Sequence, residues 1–111
     1  MPGRSLSVYL NRVDNEIRFS HFTFLPESGD LIWPEPGGQK AINRLAPQPS
    51  RLLALLINRY PDMVSHEEIK QEVWPDVEVD FERSLHFCIR QIRAALQDNA
   101  NDPVYIQTIS R

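Results

Sequence analysis

The spacing of apolar residues separates an N-terminal part made of short extended runs from a C-terminal part made of helical repeats. Before residue 48, β-prone runs alternate with turns that contain Pro or Gly. The first comprises residues 17–19 and 22–25, and the others cover residues 31–33 and 41–45. They predict a small antiparallel sheet of about three strands, in which Trp33 ends its strand because Pro34 and Pro36 cannot donate to a ladder.

Residues 1–16 show no clear periodicity. We expect them to form an N-terminal extension that is loosely ordered or adds an edge strand. The domain proper is then expected over residues 17–111.

Two helices are predicted from residue 50 to residue 74. The first has Ser50 as a possible N-cap, is apolar over most of its circumference and stops at Pro61, which predicts a central buried helix. The second opens with a capping box, in which Ser65 is the N-cap and Glu68 lies three residues on. We expect Ile69 and Val73 to form its buried stripe, with Trp74 as a further candidate, and Pro75 ends the helix.

A third helix is predicted from about Phe81–Arg83 to about Gln97, with two distinct faces. Its apolar residues Leu85, Ile89, Ile92 and Leu96 fall on one narrow core stripe. The opposite face carries Arg83, Phe87, Arg90, Gln91 and Ala94, with Ser84 at its edge. Phe87 is out of place on a polar face, so it either contacts a ligand or packs under an N-terminal segment or a partner subunit.

The chain ends in a predicted strand over residues 104–109, with no partner strand after it. An unpaired last strand would expose an edge, which favours association.

Composition limits the possible classes of protein. A length of 111 residues is typical of one domain, and a content of 41% hydrophobic residues argues against a chain that is disordered throughout. The longest apolar run has six residues, Leu52–Ile57, whereas a membrane-spanning helix needs about 20. We see no secretory signal, and the single cysteine, Cys88, fits a reducing compartment, so we expect a cytoplasmic protein.

No catalytic or metal-binding pattern is present in the sequence. One cysteine excludes a cysteine-rich zinc site, and the three histidines do not stand at metal-ligand spacings. Neither a nucleophile elbow nor a glycine-rich phosphate loop occurs. The sequence therefore predicts a protein that is not an enzyme and binds no metal or cofactor.

Charge is distributed in blocks along the chain. The net charge of −3 is the balance of +2 over residues 1–61, −7 over residues 62–82 and +2 over residues 83–111. A uniformly basic nucleic-acid binder is excluded, but a domain with one basic and one acidic face is not.

Several ordered motifs together resemble one family. They are Leu45-x-Pro47-x-x-x-Arg51-Leu52-Leu53-x-Leu55-Leu56, Met63-Val64-Ser65-x-Glu67-Glu68-Ile69, Val73-Trp74-Pro75, Val79-Asp80-Phe81-x-x-Ser84-Leu85, Ile89-Arg90-x-Ile92-Arg93-x-Ala95-Leu96-x-Asp98 and Pro103-x-Tyr105-Ile106-x-Thr108. Over residues 19–111 the chain resembles the OmpR/PhoB-type winged-helix domain, and most closely its CadC-like branch. The resemblance implies an α+β fold, a winged helix-turn-helix with an N-terminal antiparallel sheet, a three-helix core and a C-terminal wing hairpin.

The resemblance also implies sequence-specific binding of double-stranded DNA in bacterial transcription regulation. In the family, the third helix enters the major groove and the wing contacts the adjacent minor groove. The corresponding positions are Arg83, Ser84, Phe87, Cys88, Arg90, Gln91, Arg93 and Ala94 on the helix and Thr108 and Arg111 in the wing. Their chemistry agrees, because arginine neutralises phosphates, glutamine pairs with adenine, and phenylalanine contacts thymine methyl groups.

The loop between the second and third helices corresponds to a surface that contacts RNA polymerase in some activators. Its residues are Trp74, Asp76, Glu78, Asp80 and Glu82. The alternatives are a core position for Trp74 and a solvated acidic face for the rest. Paired or tandem binding on DNA is a further expectation, because few phosphates are neutralised by one domain.

One part of the family pattern is missing. The final strand, usually built around a Gly-Tyr-Arg-Phe stretch, does not follow Arg111, so the wing hairpin is expected to be truncated. Together with the acidic segment and Phe87, this leaves a second hypothesis open, namely a winged helix that binds proteins and not DNA.

Overall fold

The computed structural model describes residues 16–76, 80–98 and 105–106, in two compact units divided between Arg44 and Leu45. The first unit contains strands β1 (Ile17–Phe19), β2 (Phe22–Leu25), β3 (Asp30–Pro34) and β4 (Lys40–Arg44). They form one antiparallel sheet in the order β1-β2-β3-β4. The second unit contains helices α1 (Pro47–Arg59), α2 (His66–Val73) and α3 (Phe81–Leu96).

The prediction of about three strands was wrong by one strand. Residues 17–25 form two strands because Ser20 adopts a left-handed conformation (φ 54°), and the chain reverses there so that Phe19 pairs with Phe22. A serine rarely adopts positive φ, and no Gly or Pro lies between residues 19 and 22, which is why the sequence pattern counts the two runs as one strand. Strand β3 also runs one residue past Trp33, to Pro34 opposite Lys40.

The sheet buries alternate residues of β2 and the second residue of β3. Phe22, Phe24 and Leu31 are buried, and the ring of Trp33 meets that of Phe22 edge-on at 5.7 Å. This alternation is expected for a sheet with one covered face.

Helix α1 begins three residues earlier than predicted, and Ser50 is not its N-cap. Ala46 is the N-cap, and Pro47 fills the first helical position, where its fixed φ suits a helix and its missing amide costs nothing. The amide of Ser50 donates to the carbonyl of Ala46 at 3.0 Å, which places Ser50 inside the first turn. As predicted, the helix ends just before Pro61.

Helix α1 is central among the helices, because it contacts both α2 and α3. It is less buried than the sequence predicted. Leu52 and Leu53 are buried, whereas Leu55, Leu56 and Ile57 are half-buried.

The capping box predicted for α2 is confirmed. The amide of Glu68 donates to Ser65 Oγ at 3.1 Å, and the amide of Ser65 donates to Glu68 Oε1 at 3.4 Å. Ile69, Val73 and Trp74 are buried, so Trp74 takes the core position that was the alternative to a polymerase contact.

Most of the N-terminal extension (1–16) and most of the strand predicted over 104–109 lie outside the described residues. Among the residues that the structure describes, no helix is long and apolar enough to cross a membrane.

Candidate nucleic-acid interface

Helix α3 positions the candidate site, and its inner face anchors it. Leu85, Ile92 and Leu96 are buried as predicted, whereas Ile89 is half-buried. Cys88 and Ala95 are buried as well, so the core stripe is wider than predicted on one side. Both have small side chains, which allow a neighbouring element to approach the helix closely.

The outer face of α3 brings together five of the predicted contact residues. Arg83, Phe87, Arg90, Gln91 and Ala94 are all exposed. Ser84, at the edge of this face, is half-buried. Half of the Phe87 side chain is open to solvent (50%), which is unusual for an aromatic ring on a charged helix face.

The two arginines of this face are not paired with any acid of the described residues. Within residues 16–76 and 80–98, Arg83 and Arg90 form no ion pair. Two carboxylates of α2 and α3 have other partners: Glu68 binds Arg59 at 2.5 Å, and Glu82 lies 3.2 Å from His66 Nδ1. The positive charge of α3 is therefore available to an external anion.

An open groove runs along the outer face of α3 beside the start of α1. Its volume is about 630 Å³. Ala46, Pro47 and Pro49 line it from the α1 side, and Phe87 with Cys88 lines it from α3. Arg83 and Arg90 also line the groove, together with Gln48 and Ser84. The sequence did not indicate this groove, because its two walls are about 40 residues apart in the chain.

Cys88, one of the predicted contact residues, lies at the buried side of this groove. Its side chain is only 2% exposed, and burial raises the pKa of its thiol to about 11. Its position suits packing between α3 and the groove wall, so we leave Cys88 out of the set proposed below to touch a ligand.

Arg93, a predicted phosphate ligand, is half-buried and engaged within the protein. Its Nη2 donates to the carbonyl of Ile106 at 2.8 Å. This guanidinium therefore differs from those of Arg83 and Arg90, which extend from the exposed face. The contact spans 13 residues of chain, and no local pattern points to it.

The positions predicted to face RNA polymerase are divided by burial. Trp74 is 2% exposed, whereas Asp76, Asp80 and Glu82 are exposed. Glu78, Thr108 and Arg111 lie outside the described residues.

An aromatic cluster joins both ends of α2 to the start of α3, and the sequence did not indicate it. The ring of Phe81 meets Trp74 edge-on at 5.6 Å and His66 at 6.4 Å. With the contact between His66 and Glu82, these rings connect the first turn of α3 to α2. These contacts hold the first turn of α3 in place, next to the exposed face of the helix.

Three comparisons with known proteins agree on one family. The family described as "Transcriptional regulatory protein, C terminal" matches residues 39–111. The cholera toxin transcriptional activator of Vibrio cholerae is 35% identical over 92 residues, and the cholera toxin homolog transcriptional activator of Vibrio parahaemolyticus is 30% identical over 92 residues. Each alignment covers 81% of this chain and 30% of the relative, so the chain spans about a third of the length of these proteins.

A solved structure shares the fold. The DNA-binding domain of Escherichia coli CadC superimposes with a TM-score of 0.62 at 25% identity, over 83% of this chain and 81% of that one. This confirms the predicted winged helix-turn-helix class, and the family match confirms the prediction of a regulatory domain that is not an enzyme. The chain belongs to the family of transcriptional regulatory protein C-terminal domains, in its OmpR/PhoB-type, CadC-like group.

Proposed function

We propose that this domain binds double-stranded DNA in transcription regulation, with α3 in the major groove. Its family and the DNA-binding domain that shares its fold support the general activity. The observation that carries the proposal is the outer face of α3, where Arg83 and Arg90 are exposed and without ion pairs in the described part of the chain. An α-helix with such a face fits the width of the major groove.

Each exposed residue of α3 has a distinct task in this proposal. Arg83 and Arg90 neutralise phosphates and fix the register of the helix on the duplex. Gln91 reads an adenine through paired hydrogen bonds to N6 and N7, and Ala94 lets the helix approach the base edges closely. The wing positions Thr108 and Arg111 are proposed to contact the neighbouring backbone.

Arg93 contributes to binding indirectly in this proposal. Its guanidinium donates to the carbonyl oxygen of Ile106 and so holds the segment that follows α3. We therefore do not propose a phosphate as its partner.

The acidic residues Asp76, Asp80 and Glu82 are proposed as the surface for a protein partner, with RNA polymerase as the candidate. All three are exposed, and their negative charge would repel a phosphate backbone. Substituting them should therefore change activation of transcription without weakening DNA binding.

One domain of this kind should bind DNA weakly and with a modest salt dependence, because the slope of log K against log salt follows the number of phosphates neutralised. Two copies on repeated half-sites would raise the affinity.

A titration of the purified chain against a randomised duplex pool tests the proposal. Fluorescence anisotropy at two salt concentrations measures binding, and sequencing of the bound fraction identifies the preferred site. Arg90→Ala should weaken binding to all sequences and reduce the salt slope by about 1, whereas Gln91→Ala should relax selection at one base pair.

Arg18→Ala is the matched control for the loss of one positive charge. Arg18 lies on β1, is paired with Glu16 at 2.9 Å, and is not one of the residues proposed to contact DNA. An equal effect of Arg18→Ala and Arg90→Ala on the salt slope would contradict the assignment of Arg90.

A protein-binding winged helix is the second candidate, and the groove lined by Phe87, Pro47 and Pro49 favours it. A domain that binds proteins and not DNA would show no salt-sensitive binding to the pool, also when extended beyond Arg111. That result would overturn the proposed function.

A further inference from the structure

We infer that the groove beside Phe87 recognises the 5-methyl group of a thymine in the major groove, and that Phe87 determines specificity for it. This inference rests on the proposed function. It adds the chemical class of base that the site selects.

The exposed ring of Phe87 is the first observation. Its outer-face neighbours Arg83, Arg90 and Gln91 are polar, and half of the ring contacts solvent. Leaving this apolar surface in water has a cost in free energy that covering it would remove. A ligand for this face should therefore bring an apolar group to a place flanked by cations.

The opposite wall of the groove is the second observation. Ala46, Pro47, Gln48 and Pro49 line it, so three of its four residues are apolar, and the two prolines have no backbone amide to donate. This wall suits an apolar group far better than a carbonyl oxygen or a ring nitrogen.

The cations beside the groove identify the kind of ligand. Arg83 and Arg90 both line it and form no ion pair within the described residues. The occupant should therefore combine anionic groups with a small apolar group between them. A DNA duplex has this combination, since phosphates flank the major groove and the thymine methyl is the apolar group displayed on its floor.

The methyl group of thymine is favoured over the flat face of a base as the partner of the Phe87 ring. The faces of the bases are stacked inside an intact duplex, and only their edges are accessible. A phenylalanine side chain offers no hydrogen bond, so it cannot distinguish the other edges by donor and acceptor pattern. It can distinguish thymine from the other bases only by an apolar contact with the methyl group.

Replacing thymine by uracil removes only the methyl group and tests the inference directly. With the duplex selected from the randomised pool, each thymine is changed to deoxyuridine in turn, and binding is measured by anisotropy at fixed salt. We expect one position at which affinity falls about fourfold, the loss that corresponds to one methyl-sized group withdrawn from an apolar contact. The other positions should change less than about twofold.

Phe87 variants assign the effect to the ring. Phe87→Ala should bind the thymine and uracil duplexes equally at that position, whereas Phe87→Leu should keep part of the difference because its side chain is still apolar. Tyr60→Ala is the control: Tyr60 is also a highly exposed aromatic residue (81%), but it lies at the end of α1 opposite to the groove, and the difference should persist. Thermal unfolding of each variant verifies that it is folded.

The possible outcomes separate this inference from the proposed function. Absence of salt-sensitive DNA binding would overturn the proposed function and the inference with it. Salt-sensitive DNA binding with no uracil-sensitive position would overturn the inference alone. A fourfold difference that persists in Phe87→Ala would show that another residue reads the methyl group. With cytosine placed at that position instead of thymine, 5-methylation of the cytosine should not weaken binding, and a loss of affinity on methylation would also contradict a contact with a methyl group.

Discussion

Arg93 and Ile106 are joined by a hydrogen bond of 2.8 Å from the guanidinium to the carbonyl oxygen. The same segment is held a second time, because Asp98 Oδ2 accepts the amides of Tyr105 at 3.0 Å and Ile106 at 2.9 Å. The end of α3 and the residues that lead towards the predicted wing are thus tied together by two side chains. One of them is an arginine that the sequence alone assigned to DNA.

Arg93→Ala should therefore lower stability and leave the salt slope of DNA binding unchanged. A hydrogen bond from a charged, half-buried group typically contributes about 1–3 kcal/mol, and we expect a loss in this range in urea unfolding. Arg93→Lys keeps the charge but loses the planar donor fork, so it should recover only part of the stability. A reduction of the salt slope by about 1 in Arg93→Ala, at unchanged stability, would favour a phosphate contact.

The ion pair between Arg59 and Glu68 should make stability depend on acid pH. Hydrogen bonding to Arg59, the largest cause, and to Ser65 lowers the pKa of Glu68 in the folded state. The stabilisation is therefore complete above the pKa of an unfolded glutamate, about 4.3, and is lost as pH falls through the lower folded value. Urea unfolding of the wild type and of Glu68→Gln between about pH 6 and pH 3 should show a difference that closes with acidification.

Glutamine at position 68 can keep the capping box, so Glu68→Gln removes the charge with little change to the cap. The matched control is Glu67→Gln, since Glu67 lies in the same helical turn but has no ion pair among the described residues. A pH dependence that Glu67→Gln removes to the same extent would point to the helix dipole instead of the ion pair.

Local signals predicted the parts of the fold that depend on neighbouring residues. The capping box of Ser65 and Glu68 is an example, because its donors and acceptors lie within one turn. The start of α1 was mispredicted because two signals compete there: Ser50 is a good cap by residue type, but Pro47 already has the φ angle of a first helical residue.

Contacts distant in sequence determine the rest, and the sequence could not predict them. The wall that Pro47 and Pro49 form beside Phe87 depends on how α1 lies along α3. The same is true of the carbonyl that Arg93 reaches, since a side chain on the flank of a helix has an equally good polar partner in solvent. The pattern therefore identified the outer face of α3 but not which of its arginines are available to a ligand.

Burial of Cys88 predicts an unreactive thiol. Since burial raises its pKa to about 11, roughly one thiol in a thousand is ionised at pH 8, against about one in four for an ordinary cysteine. Alkylation by iodoacetamide at pH 8 should be slowed at least about a hundredfold relative to the urea-unfolded chain. Labelling at the unfolded rate would show that the thiol is open to the groove, and mass spectrometry after timed quenching measures either result.

Gln97→Gly should stabilise the domain, because Gln97 ends α3 in a conformation that glycine prefers. Its φ is 58°, and its amide donates to the backbone carbonyl of Ala94 at 3.2 Å. The next amide, of Asp98, donates to the backbone carbonyl of Arg93 at 2.8 Å. A side chain in the left-handed region has a steric cost that glycine avoids, although glycine loses more backbone entropy on folding. We expect a net gain in the free energy of unfolding of about 0.5–1 kcal/mol, seen as a rise in Tm of about 2–5 °C.

Gln91→Gly is the matched control in the middle of the same helix, where φ is negative and the same substitution should destabilise by about 1 kcal/mol. Destabilisation by both substitutions would mean that the Gln97 side chain stabilises the end of α3 by more than its conformation costs.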